Sequence, residues 1–139
     1  MKKTMAFYAT VLQRQFFAYA STEIQKLGLN CGQLPFLLYV GRHPACTPGE
    51  LTAALHLDWG HSQRSITRLV DTGFLIRERR DSRTSQLRLT ETGQRAFDIS
   101  HQVFHDWDAQ KLTTLDPEER ELLLRLLDRV TWPDGKTRL

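Results

Sequence analysis

Long apolar runs are missing from this chain of 139 residues. No stretch approaches the roughly 20 residues that span a bilayer as a helix. The first residues, MKKTMAFYATVLQRQFF, carry two lysines, but Gln13, Arg14 and Gln15 break the continuous apolar core of a secretion signal. No membrane partner is therefore expected, and the cytoplasm is the expected location. Cysteine is scarce as well. Cys31 and Cys46 are the only two, they lack zinc-type spacing, and they make no disulfide framework, so reduced thiols are expected. A glycine-rich phosphate loop, an HExxH helix and a nucleophile elbow are all absent, which argues against an enzyme. Asp106 and Asp108 read as a solvated helix face rather than a catalytic dyad. There is no repeat or low-complexity segment, and no cofactor is expected.

What is present is ordinary in bulk and uneven in distribution. Apolar residues make up 40% and charged residues 25%, the balance of a single soluble domain with a sizeable core. The net charge is only +3, but its sign is segregated. Residues 58–88 hold seven Arg against four acids, whereas residues 91–128 hold nine acids against four bases. A basic middle beside an acidic carboxyl-terminal part suits a protein that meets phosphate with one region only.

That middle region, residues 47–92, has an internal order that points to DNA. Thr47 is suited to cap a helix, Pro48 to occupy its first position, and Glu50 to complete a capping box. Leu51, Ala54 and Leu55 share its inward face, and the helix ends near His56, where glycine would be more usual. A second helix is predicted from Asp58, its cap, to about Thr72, with Gly73 as the stop. Ser62, Ile66, Leu69 and Val70 face inward, and the small Ser62 permits close approach of a neighbour. Gly60, His61, Gln63, Arg64, Thr67 and Arg68 face outward. Residues near such a helix's amino end meet base edges in a major groove, Gln63 suiting adenine and Arg64 guanine, while Arg68 is better placed for phosphate.

Two short strands follow, one entered by Phe74, Leu75 and Ile76, the other reading QLRLT with Leu87 and Leu89 inward. Between them lies RERRDSRTS, where Arg77, Arg79, Arg80 and Arg83 outnumber Glu78 and Asp81. Such a tip can lie along a DNA backbone and insert one arginine into a narrow minor groove. Arg83 is the candidate for insertion, held by a bidentate pair with Asp81. Taken singly, each of these features also fits a solvated surface; in this order they form a helix-turn-helix with a β-wing.

The segment resembles the winged helix-turn-helix of the MarR family of bacterial transcription regulators. The matching signs are LTAALHLD, then SITRLVDTGFLIRERR, the wing pair Asp81-x-Arg83 and the strand-to-helix run LRLTETG. The wing tip is a few residues shorter than is common in the family, and Trp59-Gly60-His61 stands where small polar residues are more usual. The flanking helices fit too, so the resemblance covers nearly the whole chain. It implies a mainly α fold with a small β-wing and a single MarR-like domain. Residues 31–90 would form the DNA-binding region, and residues 1–30 and 91–139 the dimerisation helices. It also implies a ligand-responsive repressor that acts as a homodimer on a palindromic operator.

The flanks carry their own signals. Phe7, Val11, Phe16, Tyr19, Ala20, Ile24 and Leu27 recur at helical steps across residues 3–27. That much aromatic surface needs more cover than one small domain gives, which argues for a second subunit. A helix over 32–42 follows, with Leu34, Leu37, Leu38 and Val40 in the core and Pro35 in its first turn. Thr90 caps a long helix to about Leu115, and Asp116, Pro117 and Glu119 start a last one bearing Leu122, Leu123, Leu126, Leu127 and Val130.

Three further sites are open to the sequence. Phe7, Val11, Phe36 and Tyr39 can line an apolar cavity, with Arg42 or His43 meeting an anionic group, as in MarR-like proteins that release DNA with aromatic acids; the same residues also suit a filled core. His101 and His105 share a helix face, and Glu23, Cys31 and His43 can approach, which gives a zinc-responsive alternative without fixed ligands. Cys31 near a helix start gives a redox-responsive one. A winged protein-interaction module without DNA binding is the remaining alternative.

Overall fold

The computed structural model describes residues 2–135. Helix α1 (Met5–Lys26) starts where Thr4 Oγ1 accepts from the Phe7 amide at 3.1 Å. The expected apolar stripe is only partly covered. Ala20 and Ile24 are buried, and Phe16 packs its ring 4.7 Å from Phe104 and 5.3 Å from Trp107. Phe7, Tyr8, Leu12, Phe17 and Tyr19 stay exposed, because the amino-terminal part of α1 has little of its own chain beside it.

The helix expected over 32–42 is split. A 3-10 turn (Cys31–Gln33) comes first, in which the Asn30 amide donates to Gln33 Oε1 at 2.9 Å, and α2 (Leu34–Arg42) follows. Pro35 sits in the first turn of α2, where its missing N–H leaves no bond unmade. Gly41 lets α2 approach the last long helix closely, since a Cβ there would overlap the Phe97 ring.

The central unit matches the sequence reading closely. Helix α3 (Pro48–Ala54) has its capping box in place: Thr47 Oγ1 accepts from the Glu50 amide at 3.1 Å and Glu50 Oε2 accepts from the Thr47 amide at 3.4 Å. His56 takes the left-handed conformation at φ 54°, which explains how the turn forms without glycine. Helix α4 (Trp59–Asp71) opens under Asp58, whose Oδ1 accepts from the His61 amide at 3.0 Å. It ends before Gly73 at φ 90°. Ser62, fully buried, meets Thr52 of α3 hydroxyl to hydroxyl at 2.6 Å, and Thr52 in turn donates to the Pro48 carbonyl. This satisfied pair fixes the crossing of the two helices.

Strands β1 (Leu75–Arg79) and β2 (Ser85–Leu89) form an antiparallel pair in which Leu75 faces Leu89 and Arg77 faces Leu87. A short bridge adds Cys46 beside Leu87: the Leu87 amide donates to the Cys46 carbonyl at 2.8 Å. Cys46 is therefore a buried part of the sheet, and its thiol is free, as expected. The core gathers where α2, α3, α4 and this sheet meet, around Leu37, Leu51, Ile66, Leu69 and Leu87.

Helix α5 (Glu91–Lys111) is capped by Thr90, which accepts from the Gly93 amide and donates to the Gly73 carbonyl. It stops a turn earlier than predicted. Arg120 of α6 (Pro117–Thr131) closes the gap, its Nε donating to the carbonyls of Leu112 and Leu115. Asp116 and Glu119 form the expected capping box of α6. No residue of α6 is buried. At its end the Trp132 indole N–H donates to the Ala54 carbonyl of α3 at 2.9 Å, across 78 positions of sequence. Among the described residues, no helix is long and apolar enough to cross a membrane.

Candidate nucleic-acid interface

The outward face of α4 and the wing lie on one side of the central unit. Along α4, His61, Arg64, Thr67 and Arg68 are exposed, and Gly60 and Gln63 are half-buried. The Arg64 guanidinium lies back over Gly60, where an added Cβ would stand 3.2 Å from it. Gly60 thus gives the longest side chain of the amino end room to fold or extend. Trp59, 57% exposed just inside the same helix end, is a surface aromatic that the sequence reading left without a role.

Gln63 differs from its neighbours. Its Oε1 receives the Arg77 guanidinium of β1 at 3.5 Å, and its Nε2 is buried without a partner. It lines a cleft of about 420 Å³ between the start of α3, α4 and the wing, together with Thr47, Trp59, Arg77, Arg83 and Thr84.

The wing follows from strand alternation. Residues paired directly across an antiparallel sheet share a face. Arg77 opposes the buried Leu87, and Arg79 opposes Ser85, so both arginines leave the sheet on the side of its buried leucines. Glu78 lies on the other side, where its carboxylate meets Arg88 at 3.6 Å. Asp81 does not clasp the Arg83 guanidinium as the sequence suggested. Its Oδ1 instead accepts from the backbone amides of Arg83 and Thr84 at 2.8 and 2.7 Å. Two amides in a tight tip lie closer to that carboxylate than a long side chain can fold. These bonds, that from Arg83 first, hold the Asp81 carboxyl below its ordinary range. Arg79, Arg80 and Arg83 are exposed, and among the described residues none of Arg64, Arg68, Arg77, Arg79, Arg80 and Arg83 is in an ion pair. Arginines without ion-pair partners, with the nearby acids turned away or occupied, have the chemistry that suits phosphate and base edges.

The six residues expected around an effector cavity are not gathered in this chain. Phe36 is 1% exposed and fills the core, its ring edge toward His61. Tyr39 is buried beneath the stacked ring of His43, whose Nδ1 bonds the Tyr39 carbonyl. Phe7, 54% exposed, and the half-buried Val11 lie on the uncovered part of α1. Arg42 reaches α5, with its NH2 3.4 Å from His101 Nε2. Packing of α2 into the core took up the aromatic surface that the sequence left free for a ligand.

The metal and redox alternatives receive no support. His101 and His105 do approach, Nε2 to Nε2 at 3.3 Å. Among the described residues, however, no group of three or more His, Cys, Asp or Glu is placed to hold a metal ion. Burial raises the Cys31 thiol pKa, so its position at a helix start does not activate it. Burial, with the Glu50 charge adding to it, pushes the Cys46 thiol up to about 11.

Comparison with known proteins agrees with this surface. Residues 27–84 match the model of the MarR family. The chain is 37% identical over 140 residues to the HTH-type transcriptional regulator BilQ of Clostridium symbiosum (strain WAL-14163), covering 99% of this chain and 94% of that protein. Among solved structures, a MarR transcriptional regulator from Methanosarcina mazei Go1 superposes with a TM-score of 0.79 at 25% identity, over 96% of this chain and 92% of that one. A putative MarR family regulator from Listeria monocytogenes, complexed with 26mer DNA, has the same fold with a TM-score of 0.86 at 19% identity, over 99% of each chain. The capped helix-turn-helix, the arginine-lined wing and these likenesses together place the chain in the MarR family of DNA-binding, winged-helix transcription regulators.

Proposed function

We propose that the protein is a ligand-responsive repressor that acts as a homodimer on a palindromic operator. The observation that carries this reading is the uncovered apolar surface of the terminal helices. In α6, Leu122, Leu124, Leu126, Leu127 and Val130 are 42–54% exposed, and the aromatic start of α1 is also open. A monomer rarely leaves contiguous apolar faces of this kind in water, and a second copy of the same helices is a self-complementary cover. Two-fold pairing doubles the readout of a single recognition helix, which by itself meets few base pairs, and requires a palindromic site. Residues 1–30 and 91–139 then serve dimerisation, and residues 31–90 serve DNA binding.

In this reading Gly60, His61, Arg64 and Thr67 face the major groove, Arg68 faces phosphate, and Arg79, Arg80 and Arg83 follow the backbone into the minor groove. An aromatic or anionic effector enters beside the dimer helices. Arg42, without a carboxylate partner among the described residues, is the member of the expected set that suits an anion. The test is selection of bound fragments from genomic DNA, followed by footprinting and light scattering of the complex. A two-fold symmetric footprint covered by two protomers supports the reading. An asymmetric footprint under one protomer, or no salt-dependent binding to any duplex, defeats it.

A further inference from the structure

The seam between the recognition helix and the wing holds Arg77, beside Gln63. Arg77 leaves β1 on the face of the buried Leu87, and its exposed side chain extends along that face toward α4. It reaches Gln63 Oε1 at 3.5 Å. Glu78, its neighbour in the strand, lies on the opposite face with Arg88, and Arg77 has no carboxylate partner among the described residues. Gln63 in turn has spent its amide oxygen on Arg77, while its Nε2 is buried with no acceptor. Both side chains line the cleft of about 420 Å³ between α3, α4 and the wing, whose other walls include the hydroxyls of Thr47 and Thr84.

The chemistry that suits this cleft follows from where it lies. With α4 in a major groove and the wing tip in the adjacent minor groove, the strand that separates the grooves must cross the seam between them. What that strand presents at the seam is a phosphodiester, an anionic acceptor that suits a guanidinium fork and an amide N–H. We infer that Arg77 and Gln63 act as one unit that seats a DNA backbone phosphate at this seam, with Arg77 the direct ligand and Gln63 the positioning residue. Gln63 is then not the independent reader of adenine that its place on the recognition helix suggests. Its side chain is turned to the wing, and it sets the spacing between the two grooves' readers by tying α4 to β1. This inference rests on the DNA-binding orientation proposed above.

A double-mutant cycle tests it, using the full-length protein and binding isotherms at several salt concentrations. The two duplexes are a fragment selected from genomic DNA and its scrambled counterpart. Arg77→Ala is expected to weaken binding to both duplexes by a similar factor. It should also lower the slope of log affinity against log salt by about one per subunit. Gln63→Ala is expected to weaken both duplexes to a lesser degree, and the double variant to bind no worse than Arg77→Ala alone. Arg77→Lys, which keeps the charge and the fold but loses the fork, should retain the salt slope while losing the coupling to Gln63. The inference is overturned if Gln63→Ala weakens only the selected fragment and its effect adds in full to that of Arg77→Ala, since Gln63 then reads a base. It is also overturned if Arg77→Ala and Arg77→Lys leave affinity and slope unchanged. If the unmodified protein binds neither duplex, the regulator reading falls with it; if it binds and the cycle is additive, this inference alone falls.

Discussion

Single side chains in this molecule are set more by their immediate backbone than by their charge. Asp81 illustrates this. Opposite charge two residues apart suggested a salt bridge to Arg83, but the carboxylate caps two amides of the wing tip instead. Because those bonds depress the pKa of Asp81, its contribution to the order of the tip is present above the ordinary carboxylate value and is lost as the pH falls through the depressed one. Hydrogen exchange of the Arg83 and Thr84 amides is therefore expected to stay slowed at neutral pH. Asp81→Asn, which keeps one acceptor but no charge, should leave that slowing weaker and independent of pH; equal protection in both proteins across the acid range would refute the role. Cys46 behaves in the opposite direction. Its raised pKa of about 11 means that the thiol is neutral in the folded state at pH 8, and the stability this contributes is kept below its ordinary value of 9.0 and lost as the pH rises toward 11. Alkylation of Cys46 in the folded protein at pH 8 should be far slower than in the denatured chain. Labelling at equal rates would show that the thiol is accessible and that the sheet bridge at Cys46 opens readily.

At the level of elements, what was legible in the sequence was whatever a local rule decides. The caps at Thr47, Asp58, Thr90 and Asp116 each rest on a side chain bonding an amide within its own first turn, so residue type and spacing suffice. The inward side of β2 was legible through the alternation of Leu87 and Leu89 with polar neighbours, whereas its register against β1 was not. Elements of the site that depend on distant residues were not legible. Nothing near Arg77 in sequence announces Gln63, 14 positions away, and nothing near Trp132 announces Ala54, 78 positions away. Phe36 and Tyr39 carried an amphipathic pattern that is the same for a lined cavity and for a filled core, and only packing distinguishes the two. The Trp132 contact gives the end of α6 a fixed seat on the first helix of the helix-turn-helix, satisfying a carbonyl at the end of α3 that no later turn can reach. Trp132→Phe keeps the ring but removes the donor and is expected to cost about 0.5–1.5 kcal/mol of stability, with Ala54 among the amides and carbonyl neighbours whose resonances shift. A melting temperature within error of the unmodified protein would mean that water replaces the indole without loss.

On the scale of the whole molecule, the acidic charge and the uncovered leucines fall together in the carboxyl-terminal part. The acidic carboxyl-terminal part carries the uncovered leucines of α6, the basic centre carries the arginine strip, and the aromatic start of α1 lies in an amino-terminal part that holds four bases against Glu23. Association through the flanks would leave the basic surfaces of both copies facing outward, with like charges kept apart by the acidic helices between them. The two kinds of change therefore separate in the proposed dimer. Leu126→Glu with Val130→Glu places charge on the exposed face of a helix that buries nothing in its own chain, so the folded protomer should survive while light scattering reports half the mass. Affinity for a two-fold site should then fall steeply, because the second recognition helix no longer binds as part of the same particle. Within the basic centre, Arg83→Ala should leave the mass unchanged and weaken operator and scrambled duplex together, reducing the salt slope by about one per subunit. Arg64→Ala should cost about 1–3 kcal/mol per half-site on the operator and little on scrambled DNA. If the α6 variant stays dimeric, the interface lies elsewhere. If Arg64→Ala lowers both affinities equally while Arg83→Ala changes only the operator, the groove roles of helix and wing are the reverse of those proposed.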